Sequence, residues 1–257
     1  MSDFYVGYLP KAPAALAGFL RGVVFALFGL TAAIALLLVL HQHRFASSYF
    51  EFGNERSFEG IAAMQPYPAL LALRPGQTTS GSTYSQYLLV APGKHGAQEL
   101  MQSFEGKQVR LRGQLIYRDG GTMIEVVPGS VAVLPAAPAP PEAARDLGPI
   151  TATGEIVDSK CYLGVMNPGQ GKVHRDCAAR CLSGGVPPVF VARKIEPESL
   201  RTNGAQFLLV GPDGAALGRD VLREFVAEPI TVQAELFQRG DALLLRIDPS
   251  ILRHGTP

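Results

Sequence analysis

The chain has 257 residues with a formal net charge of +1, and 47% of its residues are hydrophobic. This length is enough for one large domain or two small ones beside a membrane segment. The near-neutral charge, with no basic stripe or tail, argues against a nucleic-acid partner. The 3 cysteines of the chain all fall within residues 161–181, which makes that region the first candidate for the chemistry of the protein.

An apolar run near the N-terminus predicts a transmembrane helix. Residues 22–40 carry no charge and are about long enough to span hydrocarbon as a helix. The polar residues that follow lack the small-residue pattern of a cleavage site, so we predict a retained single-pass anchor within residues 1–46. Lys11 and Arg21 on one side, against Arg44 on the other, favour a cytoplasmic N-terminus. The expected location is the bacterial inner membrane, with the body in the periplasm.

Two stretches beyond this run resemble one another. Residues 85–93 (SQYLLVAPG) are echoed by residues 205–213 (AQFLLVGPD), and the segments that follow match at nearly the same offset. In each copy, alternating strands flank a tight turn, as in a β-hairpin. Apolar residues at helical spacing precede each hairpin and predict a short helix.

Each copy therefore has the predicted order strand, strand, strand, helix, strand, strand. This order resembles the oligonucleotide/oligosaccharide-binding (OB) barrel. The predicted fold class is mainly β, with one N-terminal transmembrane helix followed by two tandem OB-like five-stranded barrels, each with a short helix. We place the first OB-like domain at residues 47–134, a Pro/Ala-rich linker at residues 135–149 and the second domain at residues 150–257.

The two copies differ most between their first two strands. Only a few residues lie there in the first copy, against roughly thirty in the second. The insertion spans residues 158–187, contains all the cysteines and His174, and is called the Cys/His segment below. OB-type barrels use this loop for binding, and the first copy needs no such insertion to form the same fold, so we expect a functional site here.

The spacing of the soft donors favours a metal site. His174, Cys177 and Cys181 stand at i, i+3 and i+7, so a helix would project all three side chains from one face. The glycine-rich residues 164–171 allow Cys161 to fold back onto that face. A set of three cysteines and one histidine suits zinc, copper(I) or an iron–sulfur cluster. Because an ideal helix separates His174 and Cys181 by about 10 Å, convergence on one ion requires long side chains or an irregular helix.

Two other interpretations of the cysteines stay open. In an exported protein, Cys161 can pair with Cys177 or Cys181 in a structural disulfide that leaves one thiol over. Alternatively, Cys177 and Cys181 can form a redox-active dithiol whose thiolates a protonated His174 favours.

Six neighbouring residues are candidates for the surroundings of the site: Asp158, Lys160, Tyr162, Met166, Arg175 and Arg180. Asp158 and Lys160 suit a turn before the first cysteine, with a supporting role for the ligands as the alternative. Met166 is a packing residue or a soft ligand for copper. The two arginines either lower the pKa of a neighbouring thiol or solvate the outer face of the helix.

The segment resembles a motif of exported bacterial domains of unassigned function. The matching strings are DSKCYLG at residues 158–164, HRDCAARC at residues 174–181 and GGVP at residues 184–187. The resemblance covers this segment and, more loosely, the OB-like strands beside it. It implies export and a specialised Cys/His site, and an association with membrane and periplasmic electron-transfer systems.

Motifs of common enzyme classes do not occur in the sequence. It contains no Gly-x-Ser-x-Gly elbow, phosphate-binding glycine loop with lysine, Cys-x-x-Cys-His haem site or His-Glu-x-x-His helix. We therefore expect a membrane-anchored, non-catalytic accessory or subunit of an envelope redox complex, with a protein partner and a metal or cofactor in the second domain. The alternatives are a thiol–disulfide or metal-transfer protein using Cys177 and Cys181, and an interaction module with a structural disulfide.

Overall fold

The computed structural model describes residues 13–42, 48–74, 84–135, 143–197 and 205–254. It divides the chain into two compact units, residues 1–46 and residues 47–257. The first unit contains helix α1 (Ala14–Gln42). The second contains the β-strands and the short helices.

Helix α1 is strongly apolar, and its stretch that is long enough to cross a membrane is not buried against the rest of the protein. Its stretch Leu16–Leu40 has a mean hydropathy of 2.9. Within the described ranges this is the one helix long and apolar enough to cross a membrane, and an N-terminal signal sequence would have the same properties. The predicted apolar helix is thus confirmed, whereas its retention as an anchor, its orientation and the periplasmic location stay predictions.

The first half of the second unit is a closed barrel. Its strands are β1 (Ser48–Phe50), β2 (Arg56–Ala63), β3 (Ala69–Leu73), β4 (Tyr84–Ala91), β5 (His95–Gly96), β6 (Gln108–Arg118), β7 (Gly121–Val126) and β8 (Ala132–Val133). Strands β2, β3, β4, β6 and β7 close on themselves because β6 pairs with both β2 and β7, and β7 pairs in parallel with β4. Helix α2 (Gln98–Met101) and the 3₁₀ turn Gln102–Phe104 connect β5 to β6.

The second half repeats this topology. Its strands are β9 (Arg145–Asp158), β10 (Pro188–Glu196), β11 (Gln206–Val210), β12 (Pro229–Arg239), β13 (Ala242–Arg246) and β14 (Arg253–His254), with helices α3 (Arg175–Ser183) and α4 (Arg219–Leu222). Strands β9 to β13 form a closed barrel in which β12 pairs with β9 and β13, and β11 runs parallel to β13. Two closed five-stranded barrels after an apolar helix confirm the predicted fold class.

The boundary between the barrels differs from the predicted linker. Strand β9 already begins at Arg145 and pairs with β12 from there, so residues 145–149 belong to the second barrel. The pairing partner on β12 lies far along the chain, which the Pro/Ala-rich composition could not reveal. Residues 136–142 of the predicted linker lie outside the described part of the chain.

Alternation of side chains explains why these segments form barrel strands. In β6, Val109 and Leu111 are buried while Arg110 and Arg112 are exposed, as expected for a strand with one face on a core. Closing each sheet pairs both edges of its first and last strands, which removes open edges from the barrel.

A shared apolar core joins the two barrels. Its members from the first barrel are Tyr67, Leu88, Val90, Ile116 and Met123, and those from the second include Val157, Cys161, Tyr162, Leu163, Cys181, Val186 and Val189. Polar contacts also cross the boundary: the Tyr67 hydroxyl donates to the Leu209 carbonyl at 2.6 Å, and Gln206 Nε2 donates to the Arg118 carbonyl at 3.1 Å. The Cys/His segment therefore lies at the junction of the barrels, in contact with both.

Candidate metal centre

The Cys/His segment begins where β9 ends and returns to the sheet at β10. It forms a π-helical turn at Cys161–Val165, a 3₁₀ turn at Lys172–His174 and then helix α3. The helical part is thus irregular at its start, at the level of His174. The first turn packs against β1, β6 and β7 of the first barrel.

The structure brings the three cysteines together as free thiols. The sulfur atoms of Cys161, Cys177 and Cys181 all lie within 4.8 Å of one another. The Cys161 and Cys181 sulfurs are 4.0 Å apart. Both of these residues are buried, with 3% and 1% of their surface exposed, whereas Cys177 is half-buried. The cluster therefore opens to solvent on the Cys177 side.

The spacing of the sulfurs is compatible with metal binding. Thiolate sulfurs bind zinc at about 2.3 Å, and three sulfurs at that distance in a trigonal arrangement lie about 4 Å from each other. The measured separation of 4.0 Å between Cys161 and Cys181 matches this value. The Cys177 sulfur lies within 4.8 Å of both.

His174 is held by Asp158 and lies in a second cluster. Its Nε2 is 2.9 Å from Asp158 Oδ2, and both residues are buried. The ligand atoms of Asp158, His174 and Cys161 lie within 4.8 Å of one another. The expected donor set of three cysteines and one histidine is thus divided between two clusters that share Cys161.

Asp158 also supports Cys161 directly. Its Oδ1 accepts a hydrogen bond of 2.8 Å from the Cys161 backbone N–H, and none of its surface is exposed. A buried carboxylate with two hydrogen bonds orients what it touches. Asp158, expected as a turn residue or a supporting residue, lies beneath the cluster and connects Cys161 to His174.

Lys94 of the first barrel reaches the thiols. Its Nζ donates to Cys177 Sγ at 2.7 Å and lies 3.9 Å from Cys181 Sγ. The bond to Cys177 raises the pKa of Lys94, so the ammonium form is favoured. The Lys94 cation in turn helps to lower the pKa of Cys181.

The two buried thiols shift each other's pKa in opposite directions. The hydrogen bond between Cys161 and Cys181 raises the pKa of Cys161 and lowers the pKa of Cys181. Burial and the Asp158 carboxylate add to the rise at Cys161, whereas Lys94 adds to the fall at Cys181. Cys181 is therefore the buried sulfur that most readily becomes a thiolate, the form that binds metals.

Lys160 fixes the turn that carries Lys94. Its buried Nζ donates to the carbonyls of Ala91 at 2.8 Å and Gly93 at 2.6 Å, and it forms an ion pair with Glu125. All three partners belong to the first barrel. Lys160 was expected as a turn residue or a support of the ligands within its own domain; its side chain instead crosses the junction and holds the opposite barrel.

Glycines allow this turn and the end of α3 to touch. Gly96 N donates to the Gly184 carbonyl at 3.0 Å. A Cβ atom on Gly184 would collide with the Lys94 carbonyl, and one on Gly96 would collide with the Gly185 carbonyl. The absence of side chains at these positions thus lets Lys94 approach the cysteines.

The remaining predicted neighbours of the site lie around it rather than on the sulfurs. Tyr162 is buried, and the Arg118 guanidinium stacks 4.2 Å from the centre of its ring. Arg175 forms an ion pair with Glu228, in which Nη1 lies 2.8 Å from Oε1. Met166 is 45% exposed, and Arg180 is exposed on α3.

Two residues of the site were missed at the level of sequence: Lys94 and Glu125. A signal for Lys94 exists in the duplication, since the turn at residues 92–94 (PGK) aligns with PDG at residues 212–214. The lysine therefore belongs to the copy that lacks the insertion. Glu125 lies in an ordinary strand pattern, and no local signal marks it.

A cavity of about 260 Å³ lies between the barrels away from the thiols. Its lining includes Gly121, Leu163 and Gln206.

Comparison of the chain with protein-family models, with curated proteins and with solved structures gave no match. The functional argument consequently depends on the geometry of the cysteine cluster.

Proposed function

We propose that this chain is a membrane-anchored, non-catalytic protein that binds a soft metal ion through Cys161, Cys177 and Cys181. The observation that carries the proposal is the convergence of three free thiols on one point, two of them buried. Sulfur ligands select soft or borderline metals. The Asp158–His174 pair orients Cys161, as outer hydrogen bonds do in known metal sites.

Burial of the cluster supports a holding role over a catalytic one. Cys161 and Cys181 have almost no exposed surface, and Lys94 covers the side where Cys177 is accessible. A catalytic metal requires an open position for substrate. A largely buried site in a chain that also carries an apolar helix long enough to cross a membrane suits an accessory or subunit of an envelope redox complex, with a protein partner. The resemblance of the Cys/His segment to exported bacterial domains supports the same assignment.

One observation favours a second candidate, a thiol–disulfide or metal-transfer protein. The Cys161 and Cys181 sulfurs are 4.0 Å apart, and the pKa of Cys181 is lowered, which suits thiolate chemistry. In this alternative the half-buried Cys177 would be the thiol accessible to a partner. The buried position of the other two makes rapid exchange less favourable.

Metal analysis of the full chain tests the proposal. The protein is purified in a non-denaturing detergent under anaerobic conditions, and bound metal and free thiols are counted before and after chelation. We expect one metal ion per chain, with three thiols that become reactive only after the metal is removed. A chain with no metal affinity and three reactive thiols contradicts the proposal, and a dithiol that equilibrates with glutathione supports the second candidate.

Serine variants of each cysteine locate the ligands. Cys161→Ser, Cys177→Ser and Cys181→Ser are each expected to lower metal affinity by at least about 10-fold, the range seen when even supporting residues of metal sites are changed. Met166→Leu is the matched control, because Met166 is 45% exposed, and it should bind like the unmodified chain. Circular dichroism of each variant checks that the barrels are retained.

A further inference from the structure

The cysteine cluster offers three sulfur ligands and no fourth donor of the usual kind. Within the described ranges, no histidine, aspartate, glutamate or further cysteine joins Cys161, Cys177 and Cys181 with all ligand atoms within 4.8 Å. Structural zinc sites are almost always closed by four protein ligands in a tetrahedron. Common iron–sulfur clusters take four cysteine thiolates, and the chain contains 3 cysteines. The site is therefore one ligand short for both.

A cation lies against two of the three sulfurs. Lys94 Nζ lies on the solvent side of the cluster, 2.7 Å from Cys177 Sγ and 3.9 Å from Cys181 Sγ. An ammonium group has no lone pair, so it cannot bind a metal. Its place is held by the contacts of Lys160 with the turn at Ala91 and Gly93. The lysine thus places a cation, and not a metal ligand, on this side of the sulfurs.

His174 does not lie with the three sulfurs. Asp158 and His174 are bonded to each other at 2.9 Å and are buried. The ligand atoms of His174 and Cys161 lie within 4.8 Å of each other in a separate cluster that lacks Cys177 and Cys181. The donors that converge on one point are thus the three sulfurs.

The charge of the site favours a monovalent ion. Three thiolates leave a net charge of −2 around a monovalent ion and −1 around a divalent ion. A lysine in contact with two of the sulfurs therefore compensates a charge that is larger for a monovalent ion. Soft thiolates are among the ligands that select copper(I).

We propose that the ion is copper(I), bound by Cys161, Cys177 and Cys181 alone, and that Lys94 selects it by excluding the fourth ligand that zinc requires. This inference rests on the proposed function, since it names the ion of the same site. Each thiol that binds releases its proton to solvent, and the oxidation state of copper does not change. Lys94 is a specificity residue that contacts the ligands, while Lys160 positions it.

The substitution Lys94→His tests the selection directly. A histidine at this position replaces the cation by a nitrogen donor and completes a tetrahedral site. Zinc affinity of the full chain in detergent is measured by competition with a chromophoric chelator, and copper(I) coordination is measured anaerobically by X-ray absorption. The unmodified chain should bind one copper(I) with three sulfur neighbours. The variant should bind zinc at least about 10-fold more tightly than the unmodified chain.

A matched control separates this effect from that of adding a histidine elsewhere in the Cys/His segment. Lys172→His adds a histidine to the same segment, but the Lys172 side chain is 79% exposed and lies beside Glu228. It should leave zinc affinity unchanged. A circular dichroism spectrum like that of the unmodified chain is required of each variant.

The outcomes distinguish this inference from the function on which it rests. Tight zinc binding by the unmodified chain with a nitrogen or oxygen neighbour, or a copper(I) spectrum with such a neighbour, overturns the selection by Lys94 while the metal-binding function stands. Equal zinc affinity in Lys94→His and Lys172→His also overturns it. Binding of neither metal overturns both.

Discussion

At the residue scale, Asp158 connects the two clusters of potential ligands. One of its oxygens bonds to His174 and the other accepts from the Cys161 backbone. Both side chains of the Asp158–His174 pair are buried, so each provides a partner that water cannot replace. Removing one partner of such a hydrogen bond lowers the stability of the protein more than replacing both partners together.

A double-mutant cycle measures this coupling. We expect Asp158→Asn and His174→Gln each to lower the free energy of unfolding by about 1–3 kcal/mol, with a favourable interaction energy between the sites of about 1–3 kcal/mol. Urea unfolding of the full chain in detergent, followed by tyrosine fluorescence since the chain has 0 tryptophans, gives these values. The exposed pair Glu59–Arg110, with side chains 50% and 55% exposed, is the control, and its coupling should stay below about 1 kcal/mol. Equal coupling in the two pairs would contradict the role given to Asp158.

At the element scale, the end of α3 and the turn between β4 and β5 meet without side chains between them. The hydrogen bond from Gly96 to Gly184 joins the two backbones at 3.0 Å. This approach decides how far Lys94 extends over the sulfurs, because Lys94 is part of the same turn. The packing of the turn against the end of α3 thus places Lys94 beside the sulfurs.

Adding a single methyl group at this contact should open it. The Gly184→Ala side chain would overlap the Lys94 carbonyl, so the turn must move, and we expect a loss of about 1–3 kcal/mol in the free energy of unfolding. Copper(I) affinity should fall as well, since Lys94 moves with the turn and its charge moves away from the sulfurs. Gly218→Ala is the control: a Cβ there meets only Val221 at an ordinary distance of 3.7 Å, and the change should stay within about 0.5 kcal/mol. Unaltered stability and metal affinity in Gly184→Ala would show that the turn is free to shift.

At the scale of the whole molecule, the two barrels behave as one unit because they share an apolar core and a buried ion pair. The side chains of Lys160 and Glu125 are 3% and 11% exposed, and they come from different barrels. Lys160 also bonds to two backbone carbonyls of the first barrel. Separate unfolding of the barrels would expose all of these groups at once.

Removing the charge of Lys160 should weaken the junction. We expect Lys160→Met to lower the free energy of unfolding by about 3–5 kcal/mol, because it leaves Glu125 buried without its partner. The double variant Lys160→Met, Glu125→Gln should recover part of this loss. Calorimetry of the full chain shows whether one transition splits into two. Lys194→Met is the control, since the Lys194–Glu196 pair is 66% and 55% exposed and is expected to contribute less than about 1 kcal/mol.

The sequence by itself determined the fold class and the position of the cysteines in it. Alternation of apolar and polar residues, as in β6, predicts strands because side chains of a strand point to opposite faces. The echo between residues 85–93 and residues 205–213 predicts two copies of one barrel. Comparing the copies then places the Cys/His segment between the first two strands of the second barrel, and in the structure this segment lies between β9 and β10.

Only the tertiary structure decided which groups surround the thiols. Lys94 and Cys177 are 83 positions apart along the chain, and the turn that carries Lys94 belongs to the other barrel. His174 follows the helical spacing of the cysteines, yet it bonds to Asp158 at the end of β9. Periodicity reports which residues share a face of one element, whereas these contacts arise where two separately formed barrels pack together. The candidate ligands and Asp158 were therefore visible in the sequence, whereas the Lys94 cation and the bond between Asp158 and His174 were not.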